Sequence, residues 1–316
     1  MIDSHLLTRG RFRFREGLIE FLIRLSSLIA IVSLLLIFIF IGKEALPILT
    51  SSEIQEEANL RGFFLPRSGE DRPFVWQPIS RVPKYSLLPL FIGTIKVTLV
   101  SLFMAIPLAI GAALFSAEFA PLWLREILKP VVELLAGIPS VVIGFLALMV
   151  FATWFQNIFG FTFRLNAITA GFGLALAVIP IIYTVAEDAL LAVPASYKEG
   201  SFALGATTWQ TAWRVVLPAA LPGVFAACVL GFGRAVGETM IVLMASGNSA
   251  ILSLDPTQSF RSFSATIAAE LAEVVVGSPH YHVLFFIGSF LFILTFFANF
   301  VGHWYVQRLQ RKLSGK

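Results

Sequence analysis

Apolar residues fall along this chain in six long runs, at 21–41, 88–115, 127–151, 167–192, 219–245 and 283–306, with polar residues crowded between them. Each run reaches the roughly 20 residues that a helix needs to cross a hydrocarbon core. None alternates apolar and polar positions as a membrane β-strand does. Pro107, Gly111, Pro139, Gly144, Gly171, Gly173 and Pro180 lie inside them, which membrane helices tolerate because neighbours satisfy the freed backbone groups. The pattern predicts an all-α polytopic membrane protein with about six transmembrane helices. It divides the chain into a basic N-terminus (1–20), a first transmembrane helix (21–41), a long loop (42–87), a core of five transmembrane helices (88–306) and a basic tail (307–316). The first run is too long for a signal-peptide core and lacks a small-residue cleavage site after it, so it reads as a retained anchor.

Composition supports a bilayer as the solvent. Of 316 residues, 57% are hydrophobic and 13% charged, with a mean hydropathy of +0.85, whereas a soluble domain is about one quarter charged. The net charge of +4 and pI near 9.4 do not point to nucleic acid, because the basic residues gather at the two ends. Arg9, Arg11, Arg13, Arg15 and Arg24 lie before or at the start of the first run, and Arg308, Arg311, Lys312 and Lys316 follow the last. Arg125 and Lys129 flank the second connection between runs, and Lys198 and Arg214 lie in the fourth. Under the positive-inside rule these segments and both termini are expected in the cytoplasm. Loop 42–87, with six basic and six acidic residues and the stretch RSGEDRP, is expected outside, together with 152–166 and 246–282. Within the last of these, FSATIAAELAEVV is apolar at helical spacing and predicts a short interfacial or re-entrant helix. The absence of an internal repeat gives no support to an inverted-repeat secondary transporter.

The loop 194–218 is too well specified for a tether. In EGSFALGATTWQTAWRVVLP (199–218), Phe202, Leu204, Trp209, Trp213 and Val216 stand among polar residues. Gly205 suits a turn with positive φ between two short helices. Thr207 and Thr208 are candidates to cap the second helix, and Pro218 to end it. The loop reads as a helix–turn–helix with apolar side chains left for a partner, or for the lipid surface.

Here the chain resembles a known family. Glu199, Gly205 six residues on, Val215 ten further, then Leu217-Pro218 are similar to the coupling loop of ABC-importer permeases, with Gly200 and Ser201 where two alanines are usual. The resemblance implies a cytoplasmic coupling helix between spans four and five that docks on a separate ATPase. Its expected contact residues are Glu199, Gly200, Ser201, Gly205, Leu217 and Pro218. FVWQP (74–78), the stretch 87–121, LAGIPSVVIGF (135–145) and GRAVGETM (233–240) resemble the permeases of phosphate-specific importers. GET followed by Met, GN at 247–248 and SATIAAELAE (264–273) resemble the C-type member of the permease pair. In that family Gly137-Ile138-Pro139-Ser140 breaks a helix near the cytoplasmic side. The implied partners are an A-type permease, an ATPase dimer, an extracytoplasmic phosphate-binding protein, inorganic phosphate and membrane lipid. The implied location is the plasma (inner) membrane. No cofactor is expected on this chain, and ATP and Mg belong to the partner ATPase. The competing readings are a permease for another oxyanion, such as molybdate or sulfate, and a non-transporting scaffold or sensor that docks an ATPase.

Catalytic equipment is missing from the sequence: there is no GxxxxGK[ST] phosphate cradle and no HExxH helix. His5, His280, His282 and His303 are scattered, though His280 and His282 form HYH in an outer loop, a weak metal-site candidate. Cys228 is the only cysteine, so no intrachain disulfide forms. Two charges stand inside the fifth run. At i and i+4 on one helix, Arg234 and Glu238 are expected to face the same way, either neutralising each other or lining an anion's path. A guanidinium offers phosphate oxygens a planar fork of donors. Lys96 is a weaker pathway candidate that can snorkel outward. Glu133, Glu187 and Asp188 lie near cytoplasmic ends, where solvated termini or subunit contacts are expected.

Overall fold

Six helices are long and apolar enough to cross a membrane: Glu16–Thr50, Leu88–Glu118, Ser140–Phe159, Ala167–Leu191, Thr208–Gly237 and Pro279–Arg311. We refer to them as spans one to six. The computed structural model describes residues 8–66 and 74–313. The RSGEDRP stretch and the side chains of Arg9, Arg11, Arg13, Arg15 and Lys312 lie outside the described part, as does Lys316.

Span one is mainly α1 (Thr8–Ala45), longer than its apolar run predicts. Helix α2 (Pro47–Thr50) completes span one, and the loop that follows is built from α3 (Ser52–Glu57) and α4 (Leu60–Phe64). A two-stranded antiparallel ladder completes it, β1 (Trp76–Gln77) against β2 (Lys84–Tyr85), with Trp76 opposite Tyr85. Span two is α5 (Leu88–Glu118), roughly 46 Å long at about 1.5 Å per residue.

The third span departs from the apolar pattern. The run 127–151 is not one helix: Pro139 has extended backbone (ψ 136°) and separates α6 (Leu122–Ala136) from α7 (Ser140–Leu146). The break falls where the family resemblance puts it. A proline disfavours helical backbone in the residue before it and lacks an N–H to continue the ladder. Helix α6 buries none of its residues. Span three instead runs through α7, a π-helical turn at Ala147–Phe151 and α8 (Ala152–Phe159), ending at Gly160.

Span four is α9 (Ala167–Leu191), capped by Asn166, whose side chain accepts from the Ile168 and Thr169 amides. Next come α10 (Ala195–Ala203) and α11 (Thr208–Thr211), then a π turn at Ala212–Val216 that leads straight into α12 (Leu217–Gly237). Pro218 therefore does not end a helix. It cannot donate to the Arg214 carbonyl, and the wider π turn accommodates that lost bond and lets the helix continue. The fifth apolar run is divided: α12 stops at Gly237, and α13 resumes at Met240–Ala245. The predicted short interfacial or re-entrant helix corresponds to α14 (Phe263–Glu270), and span six is α15 (Pro279–Leu313).

Helices α5, α9 and α12 form the centre. Ala105, Ala109 and Ala113 of α5, and Ala170, Leu174 and Val178 of α9, are fully buried. In lipid, apolar surface alone does not drive helices together; small side chains that permit close backbone approach do. Spans one and six keep broad apolar faces exposed, and touch each other through Phe38 and Phe292, with ring centroids 4.1 Å apart.

Candidate functional site

The divided fifth span contains the two intramembrane charges. Helix α12 ends because Glu238 has extended backbone (ψ 133°), and the carbonyls freed there find side-chain donors. The Thr239 hydroxyl donates to the Gly237 carbonyl at 3.3 Å, and the Ser264 hydroxyl of α14 donates to the Glu238 carbonyl at 2.7 Å. A break within an apolar span is tolerated only with such replacements. Glu238 caps α12, its N–H turned back to the Ala235 carbonyl, so it still lies about one turn from Arg234, yet the two form no ion pair. The self-neutralising ion pair is absent, and the chain leaves the helix only after Glu238.

What remains is more informative. Arg234 is exposed on this single chain, Glu238 is half-buried, and neither side chain has a hydrogen-bond or ion-pair partner among the described residues. Arg234 lies in the last turn of α12, where the negative end of the helix dipole offsets part of the cost of a cation. Asn299 of span six packs beside Gly233, its Oδ1 only 3.4 Å from where a Cβ on Gly233 would be. This exposed amide was not picked out from the sequence; the signal was the one Asn or Gln inside the apolar run 283–306.

Lys96 is placed differently from the expectation. Rather than snorkelling, it is 8% exposed, and its ammonium donates to the Ser253 and Asp255 carbonyls, both at 3.0 Å, above the Phe260 ring. Nearby, the Thr94 hydroxyl accepts from the Phe263 amide at 3.1 Å. A Cβ on Gly93 would lie 2.1 Å from the Arg261 carbonyl oxygen, so only glycine allows this approach. One end of span two thus holds the 253–263 segment that leads into α14.

The same end of the bundle contains a buried polar cluster around Glu270. Its carboxylate receives Arg261 Nη1 at 2.7 Å, the Trp76 indole N–H at 3.1 and 3.2 Å, and lies 2.9 Å from His280 Nε2. Burial pushes the Glu270 carboxyl up, but the His280 bond, the Arg261 charge and the Trp76 donor outweigh it and hold the group below its ordinary range. Beside it the Tyr85 hydroxyl donates to Glu57 at 3.0 Å, and burial together with that carboxylate raises its pKa. The cluster joins the loop after span one to α14 and span six. It accounts for His280, while His282 Nδ1 lies 2.7 Å from the Glu44 carbonyl. No group of metal-ligating side chains occurs among the described residues.

At the opposite end lies the hairpin of α10 and α11. Gly205 has φ +81°, and Thr207 caps α11 in a capping box with Gln210. Leu204 is 90% and Trp209 61% exposed, with Phe202 and Trp213 also exposed, whereas Val216 is fully buried and belongs to the core. Glu199 and Gly200 are exposed, and Leu217 and Pro218 are half-buried. Ser201 is buried and pairs its hydroxyl with that of Thr211 at 2.9 Å, locking the two arms together. Glu133 and Asp188 are exposed, and Asp188 pairs with Lys129 at 3.0 Å. Glu187 is not a solvated terminus: it is fully buried, accepting from Ser116 and, at 3.2 Å, from Tyr183.

Six membrane-length helices, one of them divided next to two charges, and an exposed apolar hairpin at one end fit a membrane transport subunit. Residues 105–315 match the family described as the binding-protein-dependent transport system inner membrane component. The chain belongs to that family and is a multi-pass membrane subunit of such a system. It is 37% identical over 221 residues to a protein described as the probable ABC transporter permease YqgH of Bacillus subtilis, covering 70% of this chain and 72% of that one. It is 36% identical over 256 residues to the phosphate transport system permease PstC of Xylella fastidiosa, covering 75% and 78%. To PstC of Haemophilus influenzae it is 29% identical over 325 residues, covering 97% and 99%. In fold it is similar to a chain of the inward-facing methionine ABC transporter MetNI, with a TM-score of 0.56 and 21% identity, covering 71% of this chain and 97% of that one.

Proposed function

We propose that this chain is the C-type permease of an ATP-driven phosphate importer and forms half of the phosphate pathway. The observation that carries the reading is Arg234, an exposed and unpaired guanidinium near the break in span five, in a chain similar to proteins named phosphate transport permeases. A lone cation in a span costs at least about 2.5 kcal/mol on insertion scales, and an anion passing beside it supplies a reason to keep it. Glu238 tempers the site so that phosphate is released instead of trapped. The other half of the pathway comes from an A-type permease. Both termini and the hairpin face the cytoplasm, where a dimeric ATPase carrying ATP and Mg docks through Glu199, Gly200, Ser201, Gly205, Leu217, Pro218 and the exposed aromatic side chains. An extracytoplasmic phosphate-binding protein delivers substrate at the other face.

The test is uptake by the complex reconstituted with ATPase and binding protein. Phosphate accumulates when ATP is supplied, and excess molybdate or sulfate does not compete. Equal competition by either oxyanion would transfer the reading to a broader anion importer, and ATP hydrolysis without uptake would point to a scaffold or sensor.

The hairpin assignment has its own expected result. Gly205→Val places a β-branched residue at φ +81°, a backbone region such residues rarely adopt, at a strain of order 1–3 kcal/mol. No atom lies within 4 Å of the added Cβ, so the damage is confined to the turn. The protein should reach the membrane normally and retain less than about one tenth of the co-purifying ATPase, since 1.4 kcal/mol is about tenfold in affinity. Undiminished co-purification would remove the hairpin from the docking surface.

A further inference from the structure

The hairpin does not hang free below the membrane core. Each of its arms touches one of two consecutive residues at the end of span two. From α10, Lys198 Nζ lies 2.7 Å from Glu118 Oε1, and the Glu118 side chain is only 6% exposed. From α11, the Trp209 ring lies 5.8 Å from that of Phe119. The end of span two is itself braced. Arg125 of α6 donates to the Ser116 and Ala117 carbonyls at 3.0 and 2.7 Å, and the Ser116 side chain donates to the buried Glu187 of span four. At its other end span two holds the 253–263 segment through Gly93, Thr94 and Lys96. That segment leads into α14, whose Ser264 holds the broken backbone at Glu238.

We propose that Glu118 and Phe119 are the positioning residues through which movement of the hairpin enters the membrane core, with span two carrying it to the segment that holds the break in span five. The inference rests on the hairpin being the ATPase-docking element. A mostly buried ion pair is suited to this task because it transmits both push and pull, whereas an apolar contact alone resists only compression. Removing one partner leaves the other charge without compensation in a partly dehydrated site. Contact continuity alone does not demonstrate energetic coupling between distant sites, so the measurement must separate transmission from docking.

The experiment uses the reconstituted complex and reads phosphate moved per ATP hydrolysed, next to membrane abundance and ATPase association. Lys198→Met and Glu118→Gln should each lower that ratio about tenfold, a usual size for coupling between sites, with association unchanged. The exchange Glu118→Lys with Lys198→Glu should restore the ratio, because the pair re-forms with its polarity reversed. Phe119→Ala should lower the ratio by a smaller factor. A wild-type ratio in both single variants, or loss of ATPase association in them, overturns the proposal: the pair would then be static, or part of the docking surface. If a single variant does not reach the membrane, the exchange is read by itself. An assembled exchange that restores the ratio supports the proposal, and one that stays uncoupled overturns it. Phosphate uptake and ATPase association in the wild-type complex, measured alongside, report on the importer reading separately.

Discussion

Arg234→Gln should reduce phosphate uptake about a hundredfold, equivalent to roughly 3 kcal/mol, while membrane abundance and ATPase association stay normal. The amide keeps polarity and much of the length but loses the charge and the planar fork, and hydrogen bonds to charged groups are worth about 1.5–3 kcal/mol each. Folding of this chain should survive because Arg234 is exposed and bonds to nothing among the described residues of its own chain. The double change Arg234→Gln with Glu238→Gln separates an anion contact from charge balance. If the two residues only compensate one another, neutralising both restores transport, since no uncompensated charge is left. If Arg234 meets the anion, the double variant stays as impaired as the single one. Wild-type uptake by the double variant would remove Arg234 from the pathway.

The structure changes the weight of that test. Read as a continuous helix, the fifth run offered a self-contained Arg–Glu pair as the alternative to an anion path. The two form no ion pair at the end of α12, so each charge is left for the partner subunit, water or an anion to accommodate. The break was not legible because its cause lies elsewhere in the chain: the donor that satisfies the Glu238 carbonyl is Ser264, 26 residues later. Local pattern was a good guide where local physics decides. The six spans, the turn at Gly205, the Thr207 cap and the short α14 all follow from periodicity or turn chemistry. It failed where apolar residues run on through a change of role, as at 127–136. There an exposed amphipathic helix carries only Lys129 and Glu133 as charges, so the apolar run reads on through it. It also misplaced Lys96 and Glu187. A charge near a span end looks solvated in one dimension, but these two meet the 253–255 carbonyls, and Ser116 with Tyr183.

Glu270→Leu removes the acceptor shared by Arg261, Trp76 and His280 and should lower the stability of the purified protein by about 3 kcal/mol, the lower end for breaking a buried charge pair. The Arg261, Glu270 and His280 side chains are only 14–16% exposed, so water screens them poorly, and Arg261 keeps only its Asn248 bond at 3.0 Å. Thermal unfolding in detergent measures the loss, and protease cleavage of the 46–87 segment should rise with it, because Trp76 ties that segment to α14. The pH dependence follows from the direction of the Glu270 shift. Its folded pKa is held below the ordinary value of 4.5, so the unfolded chain takes up the proton first as pH falls. The cluster's contribution is therefore complete above that ordinary range and is lost as pH drops through the folded pKa. Wild-type protein should lose this part of its stability in acid, whereas Glu270→Leu should lack that component of the curve while remaining less stable near neutrality. An unchanged acid limb in the variant, or a neutral-pH stability equal to wild type, would mean that the cluster follows the packing of the loop after span one and does not hold it in place.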